Sequence, residues 1–178
     1  MSTIVCNKPE IFHYIIQPTY QFPNSYLPVL IYKNAFQLSD NDNAEKIEDI
    51  FIANNWGNCW QDGIFNYQHY HSITHEVLAV YTGECNLQLG GENGISTNIS
   101  KGDVVIIPAG LAHKNLASSH NFKCIGAYPK GLSYDIKLGK PEEKQEAEQN
   151  IKQVLLPETD PVFGKHGLLF EYWKNKTN

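Results

Sequence analysis

The sequence predicts an all-β fold, a sandwich or a barrel with a few helices at its periphery. Between Gly63 and Tyr128, short apolar runs are separated by turns of Gly, Asn, Ser and Pro at short intervals. Such spacing is typical of antiparallel sandwiches and barrels. The runs that we interpret as strands cover residues 64–70, 77–82, 84–90, 104–107 and 122–128.

Two further strands and a helix are predicted before this region. Residues 11–16 and 27–32 are rich in β-branched and aromatic side chains, which favour strands. Over residues 44–54, apolar side chains recur at spacings of three, four and seven, which is the period of an amphipathic helix. Asp42 or Asn43 can cap the first turn of this helix.

The first helix is expected to end at residues 56–57, and a second helix is expected to begin at Pro141. Proline is tolerated in the first helical turn, and Glu142 and Glu143 are favourably placed at the positive end of the helix. The apolar stripe of this second helix is narrow, so we expect the helix to lie on the surface and to close at residues 155–157.

The chain is predicted to form one domain over residues 1–178, because no repeat, low-complexity tract or linker interrupts it. The barrel core would cover about residues 60–130, with the N-terminal strands and helix before it and the C-terminal helix and extension after it. A chain of this length buries roughly 70 per cent of its unfolded surface, which is enough for a substantial core.

Composition excludes several classes of function. The net charge is −5, and all 14 positive residues are Lys, scattered along the chain without a basic face for nucleic acid. Arg is absent, so no substrate can be held by the bidentate guanidinium fork within this chain.

The cysteines and the N-terminal segment bear on the compartment. Four widely spread cysteines form no Cys-x-x-Cys pair and are expected to be small apolar core residues: Cys6, Cys59, Cys85 and Cys124. No signal peptide is visible, and no stretch approaches the ~20 apolar residues that cross a bilayer. We therefore expect a cytoplasmic protein without a membrane or nucleic-acid partner.

The residues that carry chemistry lie close together in the sequence. His69 and His71 are two residues apart, so on a strand both rings would point to one face. Glu76 follows across a turn, and His113 comes at the end of a second turn that begins at Pro108. Neutral imidazoles and a carboxylate are the usual ligands of a first-row divalent metal, although an isolated His-x-His is common without one.

The spacing of these residues resembles the two-part signature of the cupin superfamily. Gly63 stands six positions before His69, and Gly83 stands seven positions after Glu76. The second part runs from Gly102 through Pro108 and Gly110 to His113. The surrounding sequence, over residues 50–170, resembles the YjlB-like branch of bacterial cupins, whose function is uncharacterised.

The resemblance implies a double-stranded β-helix, or jelly roll, with a metal in the mouth of the barrel. His69, His71 and His113 would each give one ring nitrogen, and Glu76 would give one carboxylate oxygen. The ion would be Fe, Mn, Ni or Zn, with two positions left for exogenous ligands. Glu76 has an alternative role as a general base towards a bound substrate.

Strand alternation identifies candidate residues of a substrate pocket. If the two histidines of the first motif point inward, so do Phe65 and Tyr67, whose alternative role is ordinary barrel core. Leu78 shares the inward face with Glu76, and Tyr128 is a further candidate in the last strand. His75 would face away from the site, so we do not expect it to bind the metal.

Three functions are compatible with this pattern. The first is a metal-dependent dioxygenase or related oxidoreductase acting on a small oxygen-rich metabolite. The second is a redox-neutral isomerase, lyase or decarboxylase in which the metal acts as a Lewis acid. The third is a non-enzymatic module that binds a small molecule or a metal. Cupins of each kind exist, and the fold does not choose among them.

A homodimer is the expected assembly, because jelly-roll cupins commonly bury an outer sheet face against a second copy. The alternative is a monomer whose outer face is covered by its own N-terminal strands and C-terminal helix. A light-scattering mass equal to one chain at micromolar concentration would contradict the dimer.

Overall fold

The computed structural model describes residues 4–5, 8–39 and 44–173. Within these residues, nine strands form two antiparallel sheets, with strand order β1-β2-β7-β4-β9-β3 in the larger and β6-β5-β8 in the smaller. The strands are β1 Glu10–Tyr14, β2 Val29–Lys33, β3 Trp56–Asp62, β4 Glu76–Thr82, β5 Glu84–Leu89, β6 Ile95–Ser100, β7 Val104–Ile107, β8 His113–Ser118 and β9 Lys123–Pro129. The helices are α1 Ala44–Ala53, α2 Lys144–Gln153 and α3 Leu169–Tyr172, with a 3-10 turn at Pro141–Glu143.

The inner core is built from alternate residues of both sheets. Ile31 of β2, Leu78 of β4 and Val105 of β7 belong to the same buried cluster as Leu87 of β5 and Ile99 of β6. Because side chains alternate across a strand, each of these positions faces inward while its neighbours face the other side. Burial of this apolar surface holds the two sheets face to face.

The other face of the larger sheet is also buried. Leu30, Val77 and Ile106 pack there with Ile47 and Phe51 of α1 and with the C-terminal segment. This explains why the strands of the larger sheet have continuous apolar runs rather than a strict alternation of apolar and polar residues.

Asp160 ties the C-terminal segment to this face. Its buried carboxylate accepts hydrogen bonds from the Tyr32 hydroxyl at 2.8 Å and from the backbone N–H groups of Val162, Phe163 and Leu169 at 2.8–2.9 Å. The carboxylate is therefore fully paired despite its burial.

The prediction of an all-β fold with a few helices is confirmed, and so are most of the predicted elements. Strands lie within or over four of the five runs predicted between Gly63 and Tyr128, and both N-terminal strands and both helices are present. Ala147 of α2 is buried while most of that helix is exposed, as its narrow apolar stripe predicted. The proposed caps Asp42 and Asn43 lie outside the described residues.

One predicted strand was wrong, and the residues expected to end the first helix have a different role. Residues 64–70 form no strand, because only His69 and Tyr70 make isolated bridges, to His113 and Lys137. The first helix ends at Ala53, and the residues expected to terminate it instead open β3, with Trp56 completely buried. Strands β3, β6 and β8 were missed, because their sequences are too polar or too rich in Gly and Asn to stand out.

The remaining global expectations concern cysteines and membranes. Cys85 and Cys124 are buried and Cys59 is half-buried, and all three are free thiols. Cys6 lies outside the described residues. Over the parts of the chain that the structure describes, none of the helices has the length and apolar character needed to cross a membrane.

Candidate metal centre

Three buried histidine side chains meet at one point. His69, His71 and His113 each offer one ring nitrogen, and these three nitrogens lie within 4.8 Å of one another. Backbone pairing brings the histidines together, because His69 and His113 exchange two N–H···O=C hydrogen bonds of 3.2 and 2.9 Å. The Gly110 N–H donates to the carbonyl of His71 at 2.8 Å. The turn before β8 therefore holds the His-x-His segment in place.

The outer nitrogen of each ring contacts a backbone carbonyl. Nδ1 of His69 lies 3.2 Å from the carbonyl oxygen of Tyr67, and Nδ1 of His113 lies 3.1 Å from that of Leu111. Nδ1 of His71 contacts the carbonyl oxygen of Asp135. A carbonyl oxygen can only accept, so each Nδ1 carries a proton, and whenever the ring is neutral its Nε2 keeps the lone pair. This is the tautomer that a metal ligand needs.

Glu76 lies beside two of the three imidazoles. It is the first residue of β4, and its Oε2 atom is 3.3 Å from His71 Nε2 and 3.4 Å from His113 Nε2. Its other oxygen, Oε1, accepts a hydrogen bond from the Tyr128 hydroxyl at 3.0 Å, and Trp60 Nε1 donates to that hydroxyl at 2.9 Å. One oxygen is thus fixed, while the buried Oε2 faces Nε2 of His71 and of His113 and has no donor when both rings are neutral.

The buried negative charge of Glu76 favours a cation in this cluster. Burial opposes ionisation of Glu76, but His71 and His113 hold its pKa below the usual range, so it is a carboxylate. Burial and the neighbouring His113 lower the pKa of His69 to about 3. Burial also opposes a charge on His71, yet Glu76 outweighs it and raises the pKa of that ring. A proton on His71 or a metal ion can supply the positive charge.

The donor set fits a first-row divalent ion. Ligand atoms around an ion with bonds of ~2.1 Å are separated by about 3.0–3.4 Å, and Oε2 of Glu76 lies at 3.3–3.4 Å from two imidazole nitrogens. The unpartnered Oε2 is the second indication, because a buried carboxylate oxygen without a partner is costly. Of the four side chains that the sequence predicted as ligands, the three histidines form the group whose donor atoms lie within 4.8 Å of one another, and Glu76 adjoins two of them. Their role as ligands stays a prediction.

His75 lies apart from the cluster. Its Nδ1 accepts a hydrogen bond from the Ala109 N–H at 3.0 Å, and its ring packs against Trp173 with the centroids 4.7 Å apart. Burial lowers the pKa of His75 to about 4, so the ring is neutral. It lines a different cavity, between residues 18–27 and α2.

A cavity of about 270 Å³ opens onto the cluster. Its wall includes three of the four predicted pocket residues, Phe65, Leu78 and Tyr128. The fourth, Tyr67, is not part of the wall; it is 43% exposed and stacks on Phe65 with the ring centroids 4.8 Å apart. The full wall consists of Trp60, Gln61, Asp62, Gly63, Ile64, Phe65, His69, His71, Glu76, Leu78, His113, Tyr128 and Tyr134.

The segment after β9 contributes residues that the sequence reasoning did not assign to the site. Tyr134 stacks on Tyr128 at 4.7 Å and stands edge-on to His71 at 5.2 Å. The carboxylate of Asp135 accepts hydrogen bonds from the N–H and the hydroxyl of Ser72, while its carbonyl orients His71. No sequence pattern marked these roles, because the contacts with His71 and Ser72 join residues more than sixty positions apart.

Comparisons with known proteins agree with this architecture. The family model described as Cupin matches residues 51–128. An uncharacterised protein of Bacillus subtilis (strain 168), YjlB, is 44% identical over 162 residues, which cover 87% of this chain and 95% of that protein.

Solved structures are more distant. The acireductone dioxygenase from Bacillus anthracis with a cadmium ion in its active centre is 14% identical, with a TM-score of 0.38 over 70% of this chain and 82% of that one. Procruciferin, an 11S globulin from Brassica napus, is 19% identical, with a TM-score of 0.38 over 55% of this chain. The chain matches 31% of that globulin's length.

Proposed function

This chain belongs to the cupin family, and we propose that it is a metal-dependent cupin that binds one divalent ion through His69, His71, His113 and Glu76. The ion would be Fe, Mn, Ni or Zn. A small oxygen-rich metabolite would bind in the adjoining cavity. The leading activity is that of a dioxygenase or related oxidoreductase.

The observation that carries this proposal is the orientation of the donor atoms. Three Nδ1 atoms are occupied by backbone carbonyls, so the lone pairs on Nε2 remain for the ion. The unpartnered Oε2 of Glu76 faces two of these nitrogens. A buried set of lone pairs and one negative charge is disfavoured without a cation, which supports a metal rather than a purely structural role.

The cavity supports a ligand-binding site over a closed structural one. Four side chains on one ion leave positions for exogenous ligands, and the cavity reaches all four proposed ligands. When bound, the ion would act as a Lewis acid, or as an electron donor to dioxygen if it is redox-active. The chain itself orients the imidazoles through carbonyls, holds Glu76 through Tyr128, and shields the centre with aromatic side chains.

A redox-neutral reaction is the second candidate, and one observation favours it. Glu76 is one of the residues that line the cavity, and its buried Oε2 has no hydrogen-bond partner in the described part of the chain. A carboxylate in this position could take a proton from a bound substrate, as an isomerase or lyase requires.

Metal substitution separates the candidates. Metal-free protein would be reloaded anaerobically with Fe(II) or with Zn(II), and metal content would be measured beside the His71→Ala variant. One ion per wild-type chain and strongly reduced binding by the variant are expected. Oxygen uptake by the Fe(II) form on a panel of diols, catechols and 1,3-diketones supports the oxidoreductase.

Turnover that persists in the Zn(II) form instead supports the redox-neutral enzyme. Equal metal content in wild type and His71→Ala would contradict the proposed site. A metal-loaded protein that turns over none of the panel in either form would favour a binding module.

A further inference from the structure

Apart from the histidine cluster and the ion proposed there, the wall of the cavity carries no positive charge. Its two ionisable carboxyl groups are those of Glu76 and Asp62, and no Lys is among the lining residues. The sequence contains no Arg. Lys123 is bound to the carboxylate of Asp62 at 2.9 Å, and both side chains are exposed. An anionic group on a ligand, other than the atoms that bind the ion, would therefore meet no unpaired cation on the wall.

Two aromatic rings stand at the edges of two imidazoles. Phe65 lies edge-on to His69, with ring centroids 5.0 Å apart and an interplanar angle of 77°. Tyr134 lies edge-on to His71 at 5.2 Å and 71°. Both rings belong to the cavity wall and remain 46% and 43% exposed. One face of Phe65 is covered by Tyr67 and one face of Tyr134 by Tyr128, so the remaining surface of each ring is what the wall offers to a planar ligand, which aromatic rings contact favourably.

The size of the cavity limits the ligand further. At about 270 Å³, it falls below the range of roughly 300–1,000 Å³ that accommodates drug-sized molecules. A single ring with a few substituents fits this volume.

We propose that the cavity selects a small planar ring with two adjacent oxygen donors and no further charge, in contact with Phe65 and Tyr134 on the wall. The inference rests on the proposed metal site, since the paired oxygens would bind the ion. The proposed substrate class is an uncharged compound of the catechol type. The cavity would bind it more tightly than the same ring with an added carboxylate.

The test compares three probes on Zn(II)-loaded protein, because Zn(II) does not oxidise them. Catechol, protocatechuate and the methyl ester of protocatechuate share the two oxygen donors, and the last two differ mainly in charge. Calorimetry should show the ester and catechol binding with similar affinity. Protocatechuate should bind about tenfold more weakly or worse, since its carboxylate gains no partner on desolvation.

A pair of matched variants tests the cause of the preference. Phe65→Lys places a cation on the wall and should narrow or reverse the discrimination against protocatechuate. Tyr67→Lys makes the same charge change in a neighbouring half-exposed aromatic residue outside the wall, and its effect should be smaller. Equal effects of the two variants would show that net charge, not the wall, sets the preference.

The outcomes also separate this inference from the proposed function. Failure of wild-type protein to bind Zn(II) would overturn the metal site and the inference together. Stoichiometric Zn(II) with equal or tighter binding of protocatechuate, or with no binding of any probe, would overturn the substrate class alone.

Discussion

His71 and His75 are four residues apart and both buried, yet their surroundings give them opposite chemistry. In His71, Nδ1 faces the carbonyl of Asp135, so the neutral ring carries its proton there and its Nε2 lone pair faces the cluster. In His75, Nδ1 accepts from the Ala109 N–H, so a neutral ring must carry its proton on Nε2. The backbone group at Nδ1 therefore decides whether a buried imidazole can serve as a ligand.

The two rings also differ in electrostatics. Glu76 raises the pKa of His71 against the effect of burial, whereas burial lowers the pKa of His75 to about 4. The backbone of Leu155 partly opposes this lowering of the pKa. It is not positioned as a hydrogen-bond partner for Nε2 of His75. Burial alone is thus a poor guide to function, and neighbouring groups distinguish the two histidines.

The largest effect should come from alanine variants of the two histidines. His71→Ala should lower metal affinity by about an order of magnitude or more, because a ligand nitrogen is lost, and so should His69→Ala and His113→Ala. His75→Ala should change metal affinity little, because that ring lies outside the cluster. Competition with a chromophoric chelator measures the metal affinity of each variant. An equal loss of affinity in His75→Ala would contradict the distinction between His71 and His75.

Glu76→Gln should have the next largest effect. Gln keeps the shape and an acceptor oxygen for Tyr128 but removes the charge, so metal affinity should fall by about tenfold if Glu76 is a ligand. If Glu76 acts mainly as a base, the metal should stay while turnover of an identified substrate drops by about 10². Unchanged metal content and unchanged probe binding would refute both roles.

Lowering the pH should release the ion from the proposed site. Protons compete with the ion for Nε2, and the raised pKa of His71 means that binding near neutral pH must displace a proton. Metal affinity should therefore rise with pH through the pKa of His71, which lies above the ordinary ~6.5. Calorimetry in buffers of different ionisation enthalpy should find about one proton released per ion. Full occupancy at pH ~4 would indicate other ligands.

The smallest expected effect is that of His75→Ala on the stability of the fold, since this variant should leave metal binding almost unchanged. His75→Ala should lower the free energy of unfolding of metal-free protein by about 1–3 kcal/mol, through the lost contact with Trp173 and the orphaned Ala109 N–H. Denaturant unfolding at neutral pH measures this loss.

The same variant sharpens the comparison in acid. The folded pKa of His75 lies below the unfolded value of ~6.5, so protonation favours the unfolded chain and stability falls as pH decreases towards 4. Removing the ring should make this fall shallower. If the free energy of unfolding of His75→Ala falls with pH as steeply as that of the wild type, His75 does not contribute to the pH dependence.

The sequence predicted the fold and the composition of the cluster because both depend on local patterns. Glycine turns and apolar runs indicated the sheets, and motif spacing singled out the four side chains that the structure brings together. Their role as ligands remains a prediction. His75 was placed on the far side from Glu76 by strand phase, and the structure sets it apart from the cluster.

What the sequence could not predict depends on distant pairing. Residues 64–70 look like a strand, but in the structure the Phe65 carbonyl accepts from Asn115 and only two residues of the run make bridges. The alternation that placed Tyr67 on the cavity wall therefore does not apply. Tyr134 reaches His71 only because the chain turns back after β9, which no local pattern reveals.

The hydrogen bond from Trp60 to Tyr128 gives the protein an intrinsic optical reporter. The indole of Trp60 lies on the cavity wall, and two successive hydrogen bonds connect it through Tyr128 to Oε1 of Glu76. The other two tryptophans, Trp56 and Trp173, are almost completely buried away from that wall. Changes in fluorescence on adding an ion or a ring compound therefore report on Trp60, and a Trp60→Phe variant assigns the signal without any attached dye.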